Sequence, residues 1–193
     1  MLLQVNGAKC IGIESVVVTV EVDVTLGIGV HLCGLADVAV KESLVRTFNA
    51  LNASGFRIPG KKIVINLAPA DLHKSGSGYD LPIAIAVIAA SEQETFQDLS
   101  SFIIMGELGL DGSIRDIPGA LPIADMAAAR GFKACIFPRR SAMEALEVAG
   151  VPASFAALLA GEDDGDTDQR TKDFCAAYQA ALAEDIRGRL PQQ

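Results

Sequence analysis

An α/β fold is what this sequence predicts, and three observations predict it. Apolar stretches of strand length alternate with segments of helical periodicity along most of the chain. Half of the 193 residues are apolar, with no Trp and two Tyr, so the core must be built mainly from Ala, Val and Ile. The run 63–90, IVINLAPADLHKSGSGYDLPIAIAVIAA, reads as a buried strand, an exposed loop and a buried helix. Leu81 to Ala90 carries no charge on any face, so this helix should be central and covered on all sides.

The elements follow in order. Residues 15–24 are β-branched with alternating polar positions, the pattern of a half-buried strand. Gly27 and Gly29 turn the chain, and Val30 to Leu35 read as the partner strand of a hairpin. Asp37 caps a helix whose stripe is Leu44, Val45, Phe48 and Leu51 and which ends at Gly55. Strand 61–67 and the central helix follow, with Asp80 as N-cap and Pro82 in the first turn. Residues 102–110 and 113–115 form a strand pair around the Asp111-Gly112 turn. A helix spans Ala120 to Arg130, residues 133–137 form a strand, and Ser141 with Glu144 makes a capping box for a further helix. A last short strand and turn reach about Ala160. Residues 161–171 read as an acidic linker, and 172–193 as a C-terminal helix or the entry to a further module.

Charge and cysteine usage remove several function classes. The net charge of −8 argues against a free-standing nucleic-acid binder, although residues 161–193, with 4 basic and 8 acidic side chains, carry half of it. Cys10, Cys33, Cys135 and Cys175 show no CxxC spacing, and His31 and His73 complete no metal set. Cys33 and Cys135 lie in apolar runs and read as buried thiols. No apolar run is long enough to span a membrane and the N-terminus lacks signal-peptide features, so the expectation is a cytoplasmic protein.

The candidate sites are few. GFRIPGKK (55–62) nearly matches a phosphate loop, but it follows a helix and opens a strand, and Lys62 stands where a Mg²⁺-binding hydroxyl is needed. Arg57, Lys61 and Lys62, with His73 and Lys74, would form a basic patch if strand and loops share an edge; solvated charges at strand ends are the plainer reading. Asp71 and Asp80 flank the glycine-serine loop, and Glu107 and Asp111 flank the Asp-Gly turn. Nothing in their spacing puts them in one cleft, while capping and turn formation account for Asp80 and Asp111.

Three runs, GLADVAVKES (34–43), NLAPADLHKSGSGYDLPIAIA (66–86) and GELGLDGSIRDIPGALPIA (106–124), resemble the N-terminal domain of the Mg-chelatase-like, ComM-type (YifB-type) proteins. The similarity covers roughly residues 2–160 and departs at Ala36, where that family usually has Pro. It implies an α/β (α+β) ribosomal protein S5 domain 2-like, Lon protease-like fold over 1–160, a mixed sheet packed against helices. Lon-type proteases pair a serine at the start of a buried helix with a lysine that activates it, because a hydroxyl is a poor nucleophile until a base takes its proton. Laid over this chain, those positions fall on Gly78 and Leu121, so the resemblance implies no catalytic residue here. Asp71, Lys74, Ser77 and Asp80 are left as a candidate interaction loop.

The family's domain is followed by an AAA+ ATPase module acting on DNA, which this sequence does not contain. The resemblance therefore implies no cofactor in this chain, with ATP and Mg²⁺ confined to that module. It implies the AAA+ module, in cis or in trans, as partner, with DNA and further copies of the chain as further candidates and no membrane. The expected function is a catalytically inactive interaction or assembly domain of a ComM-type ATPase in DNA processing or natural competence. The alternatives are a residual serine hydrolase using Ser77, with Lys74 imagined as its base although solvated and protonated, and a single-stranded DNA-binding module.

Overall fold

A computed structural model describes residues 2–146 and 156–159. The expected linker at 161–171, the expected helix at 172–193 and Cys175 lie outside the described residues. A seven-stranded mixed sheet runs in the order β3-β4-β2-β1-β5-β8-β9 and packs against helices α1–α4. Its strands are β1 (Leu2–Ile11), β2 (Glu14–Thr25), β3 (Gly29–Cys33), β4 (Lys62–Ala68), β5 (Phe102–Ile104), β8 (Ala134–Pro138) and β9 (Ala156–Leu159), while β6 (Glu107–Leu108) and β7 (Ile114–Arg115) pair separately. The helices are α1 (Val38–Ala53), α2 (Asp80–Ala90), α3 (Ala120–Ala129) and α4 (Arg139–Leu146).

The core face follows from strand periodicity. Val18, Val20, Val22 and Val24 of β2 are buried, and the register sets Val20 beside Val5 and Leu67, Val22 beside Ile65, and Val24 beside Ile63. The opposite face is polar: Glu21 accepts from Gln4 Nε2 at 3.0 Å and from Asn66 Nδ2 at 2.8 Å, a ladder across three strands. Every residue of α2 is buried, as its uncharged sequence requires. Asp37 caps α1 as expected, its Oδ1 accepting from Val40 N–H at 2.8 Å.

Several expectations are corrected. Strand β1 is not marked by its sequence, because Gln4, Asn6, Gly7 and Lys9 break the apolar alternation, yet it is central, antiparallel to β2 and parallel to β5. Its Gly7 leaves room for Met105, whose Sδ would lie 3.0 Å from a Cβ there. Strand β3 is no hairpin partner of β2: it crosses over and pairs in parallel with β4, which lies between them. Residues 102–110 are not one strand; β5 enters the main sheet and β6 turns away to meet β7.

The buried face of α1 comprises Val40, Ser43, Thr47, Ala50 and Leu51, while Val45 is exposed. Ser141 lies within α4 and forms no capping box; its Oγ accepts from Ile117 N–H at 3.0 Å and pairs with Ile117 O at 3.2 Å. Cys33 is exposed on the sheet edge rather than buried, whereas burial pushes the Cys135 thiol upward.

Candidate functional site

An open cleft of about 310 Å³ lies where the loop entering α2 meets β1 and the segment leading into α3. Its walls are Ala8, Lys9 and Cys10, then Ser75 to Tyr79, with Met105, Ile117, Pro118 and Ile123 opposite. The loop is anchored by backbone bonds: Lys74 N–H donates to Leu35 O at 3.1 Å, and Asp37 N–H to Lys74 O at 3.1 Å. The GLAD run can follow this path only because residue 34 is glycine. Its φ is +96°, and a Cβ there would sit 2.2 Å from the Leu67 carbonyl oxygen.

Gly78 lines the cleft with no positive φ, so the backbone itself would accept a serine. The space such a side chain needs is taken, because a Cβ would meet Met105 Cε at 2.7 Å and Ile117 Cγ2 at 3.4 Å. Met105 is held there, its Sδ 3.2 Å from Ala8 N–H. Leu121 is 39% exposed and is absent from the cleft wall.

The substitute dyad does not assemble either. Ser77 Oγ donates to the Glu107 carboxylate, whose other oxygen lies 3.5 Å from Arg115 Nη1. Lys74 is fully buried, not solvated, and its ammonium donates to the Pro69 carbonyl. Desolvation lowers its pKa, partly offset by Asp71. Lys9 is likewise engaged, with His73 O.

Asp80 is not an N-cap. It is the first residue inside α2, fully buried, and Arg46 of α1 grips it through Nε at 2.7 Å and Nη2 at 3.1 Å. The bond to Asp80 raises the Arg46 pKa against the cost of burial. The same carboxylate accepts Leu108 N–H at 3.1 Å, and Thr47 Oγ1 donates to the Asp80 carbonyl at 3.3 Å. Asp80 therefore clamps α1, α2 and the β6–β7 hairpin together.

The other expected groupings separate. Asp71 is exposed, and Asp111 is occupied in its own turn by Ser113 N–H and hydroxyl. Arg57 and Lys61 are exposed and Lys62 half-buried before and at the start of β4, whereas His73 and Lys74 follow its end. A strand of this length puts about 20 Å between the two groups, so one basic patch does not form. GFRIPGKK joins α1 to β4, as its order in the sequence indicated. Among the described residues no cluster could hold a metal ion. Arg46 and Met105 escaped sequence reading because each acts on a residue far along the chain, with no local pattern to mark it.

The fold and these motifs are those of a known group: residues 20–141 match the family described as subunit ChlI of Mg-chelatase, and the chain belongs to that family. Within it, the chain is similar to YifB of Escherichia coli (strain K12), 45% identical over 130 residues, which is 67% of this chain and 26% of the relative. It is similar also to the competence protein ComM of Haemophilus influenzae, 40% identical over 149 residues, 77% of this chain and 29% of ComM. YifB of Salmonella typhimurium is 44% identical over 128 residues, 66% of this chain and 25% of the relative. The resemblance to ComM- and YifB-type proteins read from the three motifs therefore stands. The chain spans between a quarter and three tenths of the length of these relatives.

Proposed function

We propose that this chain is a non-catalytic domain of a Mg-chelatase-like, ComM-type ATPase, serving as an assembly platform for the motor module. The observation that carries this reading is at the overlaid nucleophile position: Gly78 has no side chain, and the terminal methyl of Met105 lies against it. Ser77 donates to Glu107 and Lys74 donates to the Pro69 carbonyl, so neither is engaged in a nucleophile–base pair. ATP and Mg²⁺ belong, in this reading, to the three quarters of the relatives' length that has no counterpart here. The name of the Haemophilus relative, a competence protein, supports natural competence as the setting. No helix among the described residues is long and apolar enough to cross a membrane.

The test is labelling of the full 193-residue chain with a serine-directed fluorophosphonate. No adduct is expected on the native fold. One stoichiometric adduct on Ser77, lost on heat unfolding, would overturn the reading in favour of a serine hydrolase.

A further inference from the structure

Strand β3 closes one edge of the sheet, bonded to β4 on one side, and among the described residues no strand pairs with its other side. Soluble proteins usually guard such an edge with charge, proline or a bulge, because its free N–H and C=O groups template pairing. This edge has no such guard. From Leu26 to Ala36 the sequence LGIGVHLCGLA contains no Asp, Glu, Lys, Arg or Pro, in a chain of net charge −8. The stretch is also open to solvent: Leu26 is 93% exposed, Ile28 90%, Leu35 55% and Val30 39%.

We propose that β3 is a pairing surface for a second copy of this chain, the two strands running antiparallel about a two-fold axis at His31. Identical edge strands related by a two-fold perpendicular to the sheet are necessarily antiparallel, and each satisfies the other's free backbone groups. In this register Val30 faces Leu32 of the second copy, Gly29 faces Cys33 and His31 faces its own counterpart, with the exposed Leu26 and Ile28 flanking the strand. No Asp, Glu, Lys or Arg is brought against its like along the whole contact. That absence favours a second copy over a charged partner strand, which would find nothing here to complement it. The two seven-stranded sheets would become one continuous sheet. With only five residues in the strand, the contact is small and belongs with weak, transient interfaces.

Sedimentation of the full 193-residue chain from about 1 to about 200 µM, a range set by an interface of this size, tests the proposal. A concentration-dependent monomer–dimer equilibrium is expected. Val30→Lys and Ile28→Lys, both at exposed positions, should each abolish the dimer while leaving far-UV dichroism and the thermal midpoint unchanged.

The register is checked in a Cys33→Ser, Cys175→Ser background. There, His31→Cys should cross-link to itself on mild oxidation, since Cα atoms directly opposed across an antiparallel pair lie about 4.5–5.5 Å apart, within disulfide reach. Ile13→Cys, 93% exposed at the far end of β2, should remain a monomer on reducing-agent-free gels. A chain that stays monomeric throughout the range, a dimer untouched by both lysine variants, or equal cross-linking at positions 31 and 13 would overturn the proposal.

Discussion

Asp80 is the most consequential single side chain in the described structure. A carboxylate with no solvent exposure is tolerable only because Arg46 and Leu108 N–H satisfy it. Removing Arg46 leaves that charge uncompensated. Arg46→Met is expected to cost about 3 kcal/mol, at the low end for breaking a buried pair because the guanidinium is partly exposed. Urea unfolding checks this, and a loss under about 1 kcal/mol would mean that water replaces the arginine.

Lys74 makes the opposite kind of prediction. Its folded-state pKa lies below the ordinary lysine value through desolvation, so the unfolded chain binds the proton more tightly than the native one. Native stability contributed by this group therefore rises with pH as the native lysine loses its proton ahead of the unfolded one. Against a Lys74→Met reference, the wild type should gain stability as pH rises toward the unfolded lysine value of about 10.4. A difference that stays flat as pH approaches that value would show that the ammonium reaches water.

At the scale of elements, the loop entering α2 is fixed by its neighbours more than by its own glycines. Gly34 lets the β3–α1 connection pass against Leu67, and the resulting backbone bonds to Lys74 hold the loop from outside. Gly34→Ala combines a positive φ with a clash against a backbone carbonyl that has no room to retreat. It should destabilise by about 3 kcal/mol, well beyond the usual cost of a surface substitution.

Met105 does the corresponding work on the cleft side, filling the volume beside Gly7 and Gly78. Met105→Ala should cost about 2–4 kcal/mol through the cavity it leaves. It should still give no fluorophosphonate adduct, since vacating the space supplies neither hydroxyl nor base. Denaturant midpoints and intact-mass spectra read the two outcomes separately.

At the scale of the molecule, the basic residues that the sequence grouped as one patch are split, and the chain carries a net charge of −8. Arg57, Lys61 and Lys62 lie before and at the start of β4 while Lys74 follows its end, and the polar face of the sheet carries Glu21. The isolated chain should leave a fluorescent single strand unbound at about 50 mM salt, as read by anisotropy. Binding whose affinity falls steeply with added salt would instead place a phosphate-contacting surface on this domain.

Much of the architecture was legible because its signals are local. The uncharged run 81–90, the β-branched alternation of 15–24 and the capping aspartate at 37 each declare an element within a few residues. The first strand was not legible, because its inward positions include a glycine chosen to admit a methionine distant in sequence. Asp80 beside a helix start looks like a cap, and only its partner, 34 residues away, shows it to be a clamp.

By itself the sequence determined the α/β class, the fully buried central helix and the family. Each of these rests on residue identity and short-range periodicity, which no later packing can alter. Tertiary structure alone decided that β3 joins β4 with no further strand on its other side among the described residues, that Met105 lies against Gly78, and that Lys74 is buried. Those outcomes depend on which distant segments meet, and van der Waals contact, desolvation and strand pairing act only between groups that the finished fold has brought together.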